Sequence, residues 1–304
     1  MDFKSLAIVV LSCFAGAQAS AGGEMPAAFE VHSQPGMIST DHFQILHAPH
    51  ETDSWVELGA VLEDSYACFQ RVFSDMGFRP SGAPEPLVWQ CFRSRPAYER
   101  YCQWTECSLS WLDSQYSTRT NCVVLFQERD RAGEGGDLRQ ITHEAAHQLA
   151  FNCGLMRRGV FYPFWVAEGI ATNFERDDEQ SDLRLSPNAE RCVGLARRAQ
   201  DGEMTPLAEL VTASSITPEL SPMAGALYDE SWGFFRFLLL HHPAALRRYL
   251  TELRERPPAV GDEEALQSGF CRIFGDLEPL ESAWRLFALH LTDGPLPPRS
   301  DLPR

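Results

Sequence analysis

The pattern of apolar and polar positions along the chain changes character near residue 137. Before that point, short apolar or β-branched stretches predict strands over residues 42–46, 87–92 and 121–126. Helical spacing predicts helices over residues 54–73 and 96–101. After it, every periodic stretch has helical spacing, and the predicted helices are 137–154, 163–175, 188–200, 223–241, 243–254 and 279–291. Strands first and helices second predict an α+β fold, with a mixed N-terminal sheet and a mainly helical C-terminal lobe.

The N-terminal residues have the pattern of an export signal. An apolar stretch over residues 6–11 is followed by small residues that form A-x-A cleavage sites around Ala19. We therefore expect a secreted or periplasmic protein. The alternatives are an N-terminal anchor or a lipoprotein attached through Cys13. The predicted division of the chain is a signal peptide over 1–21, a linker over 22–40, an α+β lobe over 41–155, a helical lobe over 156–292 and a flexible tail over 293–304.

The composition disfavours certain binding partners and excludes catalytic chemistry that needs a lysine. The formal net charge of −16 disfavours nucleic acid and anionic membranes. No stretch after the signal approaches the roughly 20 apolar residues of a membrane-spanning helix. The only lysine is Lys4, inside the predicted signal, so the mature chain has none for a Schiff base, a Ser–Lys pair or a phosphate-binding loop. The composition carries no prediction of oligomeric state.

Cysteine usage agrees with export. Without Cys13, an even number of cysteines remains, which permits disulfides in an oxidising compartment. Cys102 and Cys107 are close enough in sequence for a local disulfide loop. The alternative is that several of these cysteines are buried thiols.

The stretch HEAAH at residues 143–147 lies inside the predicted helix 137–154. His143 and His147 stand one helical turn apart, so both imidazoles lie on one face and can bind a single metal ion. Glu144 neighbours that face and is predicted to be the general base that takes a proton from water. The alternative is a surface helix with two solvated histidines.

A third ligand is needed because catalytic zinc usually has three protein ligands and one position open for water. A pattern with a third histidine requires glycine and histidine where this chain has Ala150 and Cys153. The stretch WVAEGIA at residues 165–171 instead places Glu168 on the next predicted helix, between small residues that permit close helix packing. We predict Glu168 as the third ligand. The other readings are a surface glutamate at 168, or ligation by Glu175 or Asp177.

The stretch HEAAHQLAFNCG followed by PFWVAEGIATNFE resembles the gluzincin branch of the zincins. It more closely resembles the little-characterised bacterial peptidase MA-like families with an HExxH … WxxEGxA pattern. The resemblance covers roughly residues 41–291. Residues 115–125 resemble the strand that precedes the active-site helix and lines the substrate cleft, and LYDESWGFF at 227–235 resembles a later Y-x-x-S-W helix.

The resemblance implies a zincin-like fold and one zinc ion (Zn2+) per chain, bound by His143, His147 and Glu168, with Glu144 as base. It suggests Tyr228 as the donor that stabilises an oxyanion, although this residue also fits a plain core stripe. Many gluzincins carry an aspartate where this chain has Thr172. We therefore expect Thr172, Asn173 or a backbone carbonyl to orient a ligand histidine.

The function implied is an exported zinc-dependent peptidase acting on a peptide or protein substrate. Two alternatives remain open at this point. One is a catalytically inactive zincin-fold binding module, which the intact HEAAH and Glu168 disfavour. The other is a metallohydrolase that acts on a non-peptide bond.

Overall fold

The computed structural model describes residues 36–49, 55–105, 112–127, 136–176, 188–213, 224–257 and 262–291. The predicted signal peptide, the tail and Cys107 lie outside these ranges. The strands are β1 (Gly36–Ser39), β2 (Phe43–His47), β3 (Leu87–Phe92), β4 (Ser114–Ser117) and β5 (Cys122–Phe126). The helices are α1 (Val56–Asp75), α2 (Arg95–Trp104), α3 (Gly136–Asn152), α4 (Phe164–Asn173), α5 (Ala189–Asp201), α6 (Leu207–Thr212), α7 (Ala224–His241), α8 (Pro243–Glu255), α9 (Glu263–Phe274) and α10 (Leu277–Leu289).

The five strands form one mixed sheet in the order β1-β2-β3-β5-β4. The three central strands are parallel to one another, and each outer strand is antiparallel to its neighbour. Parallel pairs require crossover connections, which α1 and α2 provide. The predicted α+β fold, with a mixed N-terminal sheet and a helical C-terminal region, is confirmed.

Helices cover both faces of the sheet. Val123 and Leu125 of β5 point into the main core, which α1 and α3 also line. Val124, between them, points to the opposite face and packs with Tyr98 and Cys102 of α2. Because β5 is buried on both sides, it reads as a continuous apolar run rather than an alternating one.

Helix α4 is the centre of the helical region. Every residue from Phe164 to Thr172 is buried, as expected for a helix in which only Glu168 and Thr172 of these residues are polar. It packs against α3 on one side and α7 on another. The predicted boundary between the lobes, at residues 155–156, falls in the loop between α3 and α4. Buried side chains on both sides of that loop belong to one cluster.

Helix α3 is attached to the sheet by polar contacts as well as apolar ones. The Gln148 side-chain carbonyl accepts a hydrogen bond from the Trp89 indole N–H (2.8 Å). Its amide nitrogen donates to the backbone carbonyls of Val88 and Asn121. These bonds set the position of α3, and therefore of HEAAH, along β3 and the start of β5.

The predicted elements are found within a few residues of their expected bounds, with specific exceptions. The sequence patterns did not predict β1, α6 or α9. The interpretation of residues 115–125 as a single strand is wrong, because β4 and β5 are two antiparallel strands. The turn between them includes Asn121 at a positive φ of 55°, a conformation that asparagine tolerates better than most residues.

No disulfide joins two cysteines within the described ranges. Cys153 and Cys192 are buried thiols there, and burial raises the pKa of Cys153 to about 12 and that of Cys192 to about 11. The buried-thiol alternative therefore holds for these two. The predicted Cys102–Cys107 loop involves a residue outside the described part.

Across the described residues, none of the helices combines the length and apolar character needed to cross a membrane.

The contact between α4 and α7 depends on a glycine next to Glu168. A Cβ added at Gly169 would lie 2.7 Å from the Phe235 Cβ and 2.8 Å from the Ser231 carbonyl oxygen. We expect Gly169→Ala to lower the free energy of unfolding by about 1–3 kcal/mol, through overpacking of the two helices. Urea denaturation would measure it. Gly269→Ala, in α9 and facing open space, is the matched control. It should raise that free energy by up to ~1 kcal/mol, and equal effects of the two changes would contradict the prediction.

Candidate metal centre

The structure brings the three predicted ligand side chains together. His143 and His147 stand one turn apart on α3, and their Nε2 atoms are 3.2 Å from each other. Glu168 of α4 places Oε2 3.3 Å from Nε2 of His143 and 3.5 Å from Nε2 of His147. The three side chains are buried and form a group that could hold a metal ion.

The dimensions of this triangle suit zinc. Ligand bonds of about 2.0–2.1 Å in a tetrahedron place the ligand atoms roughly 3.3–3.4 Å apart. The three measured separations, 3.2, 3.3 and 3.5 Å, lie around that value. Two imidazoles and one carboxylate are also a donor set that catalytic zinc prefers.

Glu168 gives a second indication of a cation. Its side chain is fully buried, and neither carboxylate oxygen has a hydrogen-bond partner among the described residues apart from the two histidines, whose Nε2 atoms lie 3.3 and 3.5 Å from Oε2. Buried polar atoms are normally hydrogen-bonded, and a group without a bond needs an explanation. A cation between Glu168 and the two histidines satisfies that carboxylate, so the residues present fit a zinc ion.

The electrostatics of the site also favour positive charge. Burial by itself lowers the pKa of His143, but Glu168 and Glu175 outweigh burial and raise that pKa to about 10. Burial likewise raises the pKa of Glu168, but His147 and His143 bring it down to about 2. The carboxylates therefore hold a positive charge on His143 at neutral pH, where a metal ion would replace the proton.

Zinc binding is accordingly expected to depend on pH. A histidine ligand must be neutral, so binding displaces the proton that His143 holds up to about pH 10. The apparent zinc affinity should rise about tenfold per pH unit between roughly pH 6 and pH 8. Competition with a chelator of known affinity at each pH would measure it. A flat profile would show that His143 is neutral before the ion binds.

Glu144, the predicted base, is fully buried and held by the edge strand β4. The Ser114 hydroxyl donates to Oε1 (3.2 Å), and the Tyr116 backbone N–H donates to Oε2 (2.7 Å). That N–H faces the open edge of the sheet, because it bonds to α3 rather than to β5. Two donors orient the carboxylate, and each oxygen keeps a lone pair for a proton.

The expectation that Thr172 or Asn173 orients a histidine is wrong. The Thr172 hydroxyl donates to the carbonyl of Glu168, one turn earlier in α4. The Asn173 amide donates to the carbonyls of Gly169 and Trp232. The group that bonds a histidine ligand is Glu175, whose Oε1 lies 3.0 Å from Nδ1 of His143. The sequence patterns offered Glu175 only as a substitute ligand.

Tyr228 of α7 lies beside the ligand cluster. Its ring is buried, with a centroid 6.3 Å from that of His143 and 5.3 Å from that of Phe164. It also belongs to a small apolar cluster with Phe164 and Leu227. The predicted oxyanion donor is therefore next to the metal centre and takes part in core packing as well.

Three other described histidines have contacts outside the ligand cluster. His42 pairs with Glu63, and His47 contacts the carbonyl of Ala48. His290 contacts the carbonyl of Leu286 at the end of α10.

Residues 137–260 match a protein family described as a protein of unknown function (DUF1570). That range begins in α3 and contains His143, His147 and Glu168. The part of the chain similar to this family therefore includes the entire ligand cluster. No curated protein matches the chain.

Proposed function

We propose that this chain is an exported peptidase that uses one zinc ion held by His143, His147 and Glu168. The observation that carries the proposal is the buried triangle of three ligand atoms, in which the Glu168 carboxylate has no hydrogen-bond partner among the described residues apart from the two histidines. Glu144 lies on the same helix as the two histidines, next to His143 in sequence. The resemblance of HEAAH and WVAEGIA to the gluzincin pattern supports the peptidase activity. Export is supported by the signal-like pattern of residues 1–21.

With three ligands from the chain, a bound zinc ion would have one position left for water or substrate. When bound there, zinc would supply a Lewis acid that polarises water and a substrate carbonyl. The chain itself shields the site from solvent, since all three ligand side chains and Glu144 are buried. Exclusion of water strengthens each electrostatic interaction inside.

Glu144 would accept the proton of the attacking water and later pass it to the leaving amine. Ser114 and the Tyr116 backbone N–H would hold the carboxylate in place during that transfer. Tyr228 would donate its hydroxyl proton in a hydrogen bond to the oxyanion that forms at the attacked carbonyl.

The test measures zinc stoichiometry and peptide cleavage on the same preparation. We expect about one zinc ion per chain by elemental mass spectrometry, and cleavage of a peptide library that stops on chelation and returns with zinc. A folded protein that takes up no zinc would refute the metal centre. Zinc without cleavage would refute the peptidase and favour a binding module or a hydrolase of a non-peptide bond.

A further inference from the structure

A chain of charged side chains, Glu175, Arg191 and Asp229, extends away from the ligand cluster. It starts at Nδ1 of His143, the ring nitrogen that does not face Glu168, which lies 3.0 Å from Oε1 of Glu175. Glu175 is itself buried, with its side chain 8% exposed. The Glu175 carboxylate contacts Nδ1 of His143, whereas the ligand atom of His143 is Nε2. Glu175 is therefore not a fourth ligand of the site.

Arg191, in the first turn of α5, holds both oxygens of Glu175. Its Nε donates to Oε2 (3.0 Å), and its Nη2 donates to Oε1 (2.7 Å). The remaining nitrogen, Nη1, donates to Asp229 of α7 (2.9 Å). The planar guanidinium matches one carboxylate with two donors and keeps a third for a second carboxylate. One side chain therefore joins α5, α7 and the segment after α4.

The backbone places Glu175 for this contact. Helix α4 ends at Asn173, and the next residues turn back toward α3. There the backbone N–H of Arg176 donates to the Thr142 hydroxyl (3.1 Å), directly before His143. This bond fixes Glu175 opposite the imidazole. Without the two hydrogen bonds from Arg191, the Glu175 carboxylate would lie beside His143 with one partner fewer.

We propose that Glu175 and Arg191 are positioning residues of the metal centre. Glu175 keeps the proton of His143 on Nδ1, so that the lone pair of Nε2 faces the ion, and Arg191 fixes Glu175 in that place. The inference rests on the proposed zinc centre. An oriented and more basic histidine binds zinc more tightly, and loss of such an outer partner typically weakens binding by about 10–100-fold.

The experiment compares zinc affinity, by chelator competition, in wild type, Glu175→Ala, Glu175→Gln and Arg191→Met. We expect Glu175→Ala and Arg191→Met to bind zinc about 10–100-fold more weakly. Glu175→Gln keeps an oxygen that can accept from Nδ1, so its affinity should lie between those of wild type and Glu175→Ala. With cobalt in place of zinc, the visible absorption bands should shift in Glu175→Ala, since the imidazole loses its fixed orientation.

Arg198→Met is the matched control. Arg198 also reaches from α5 to a buried carboxylate of α7, Glu230, at 3.0 Å, but neither group touches a ligand. Arg198→Met should lower the free energy of unfolding about as much as Arg191→Met does. It should leave the zinc affinity and the cobalt spectrum unchanged. Equal zinc affinity in wild type and Glu175→Ala would overturn the inference and leave the zinc centre standing. So would equal weakening by Arg191→Met and Arg198→Met. A wild type that binds no zinc would overturn both.

Discussion

Glu144→Gln is expected to lower the rate of peptide hydrolysis by about 10²–10⁴-fold, the range that general bases contribute. Glutamine has nearly the shape of glutamate but cannot accept the proton of water at neutral pH. Its side-chain oxygen can still accept the Tyr116 N–H, and its NH2 group can donate to the Ser114 hydroxyl, which rotates to accept. The fold and the three ligands should therefore be preserved.

The measurement is kcat on a cleaved peptide, with zinc content determined on the same sample. Glu230→Gln makes the same chemical change at another fully buried glutamate, one that pairs with Arg198 instead of lying at the ligand cluster. Its activity per zinc-loaded chain should equal that of wild type. Full activity in Glu144→Gln with zinc present would show that another group removes the proton.

Glu168→Gln is expected to weaken zinc binding far beyond the roughly 10–100-fold loss predicted for an outer partner such as Glu175. The change removes the only anionic ligand of the triangle, and with it the charge that attracts a cation. The side-chain volume stays nearly constant, so the buried site should not collapse. Activity should disappear together with the metal.

Elemental analysis after dialysis against a weak chelator would measure the retained zinc, and circular dichroism would check the fold. Glu230→Gln again provides the control, since it neutralises a buried carboxylate of α7 outside the cluster. Retention of zinc by folded Glu168→Gln at wild-type affinity would remove Glu168 from the ligand set. Loss of zinc from Glu230→Gln as well would point to a general effect of destabilisation.

The effects predicted for Glu144→Gln and Glu168→Gln depend on some contacts between residues close in sequence and on others between residues far apart in sequence. His143, Glu144 and His147 belong to one helix, and their relative placement follows from its 3.6-residue turn. The bounds of β3 and α3 follow from equally local apolar patterns, which is why the sequence predicts them well. Strand β4, by contrast, is a short polar stretch, SQYS, without an apolar alternation that would mark it. Its contacts with Glu144 were therefore not predicted.

The outer partner of His143 was missed for a related reason. One turn after Glu168, where many gluzincins carry an aspartate, this chain has Thr172. Inside a buried helix, a threonine hydroxyl bonds most easily to the carbonyl four residues earlier, as Thr172 does with Glu168. Glu175 and Arg191 meet because the chain turns back after α4, and no local pattern encodes that turn.

By itself, the sequence determined the class of fold, the ligand-bearing face of α3 and the choice of Glu168 over a third histidine. These depend on helical periodicity, on composition and on residue type within short stretches. Only the tertiary structure decided that the three ligand atoms meet at 3.2–3.5 Å. It also decided that β4 holds Glu144 and that Glu175, held by Arg191, contacts Nδ1 of His143. Each of these contacts joins residues distant in sequence, and the packing of helices and strands against one core sets such distances.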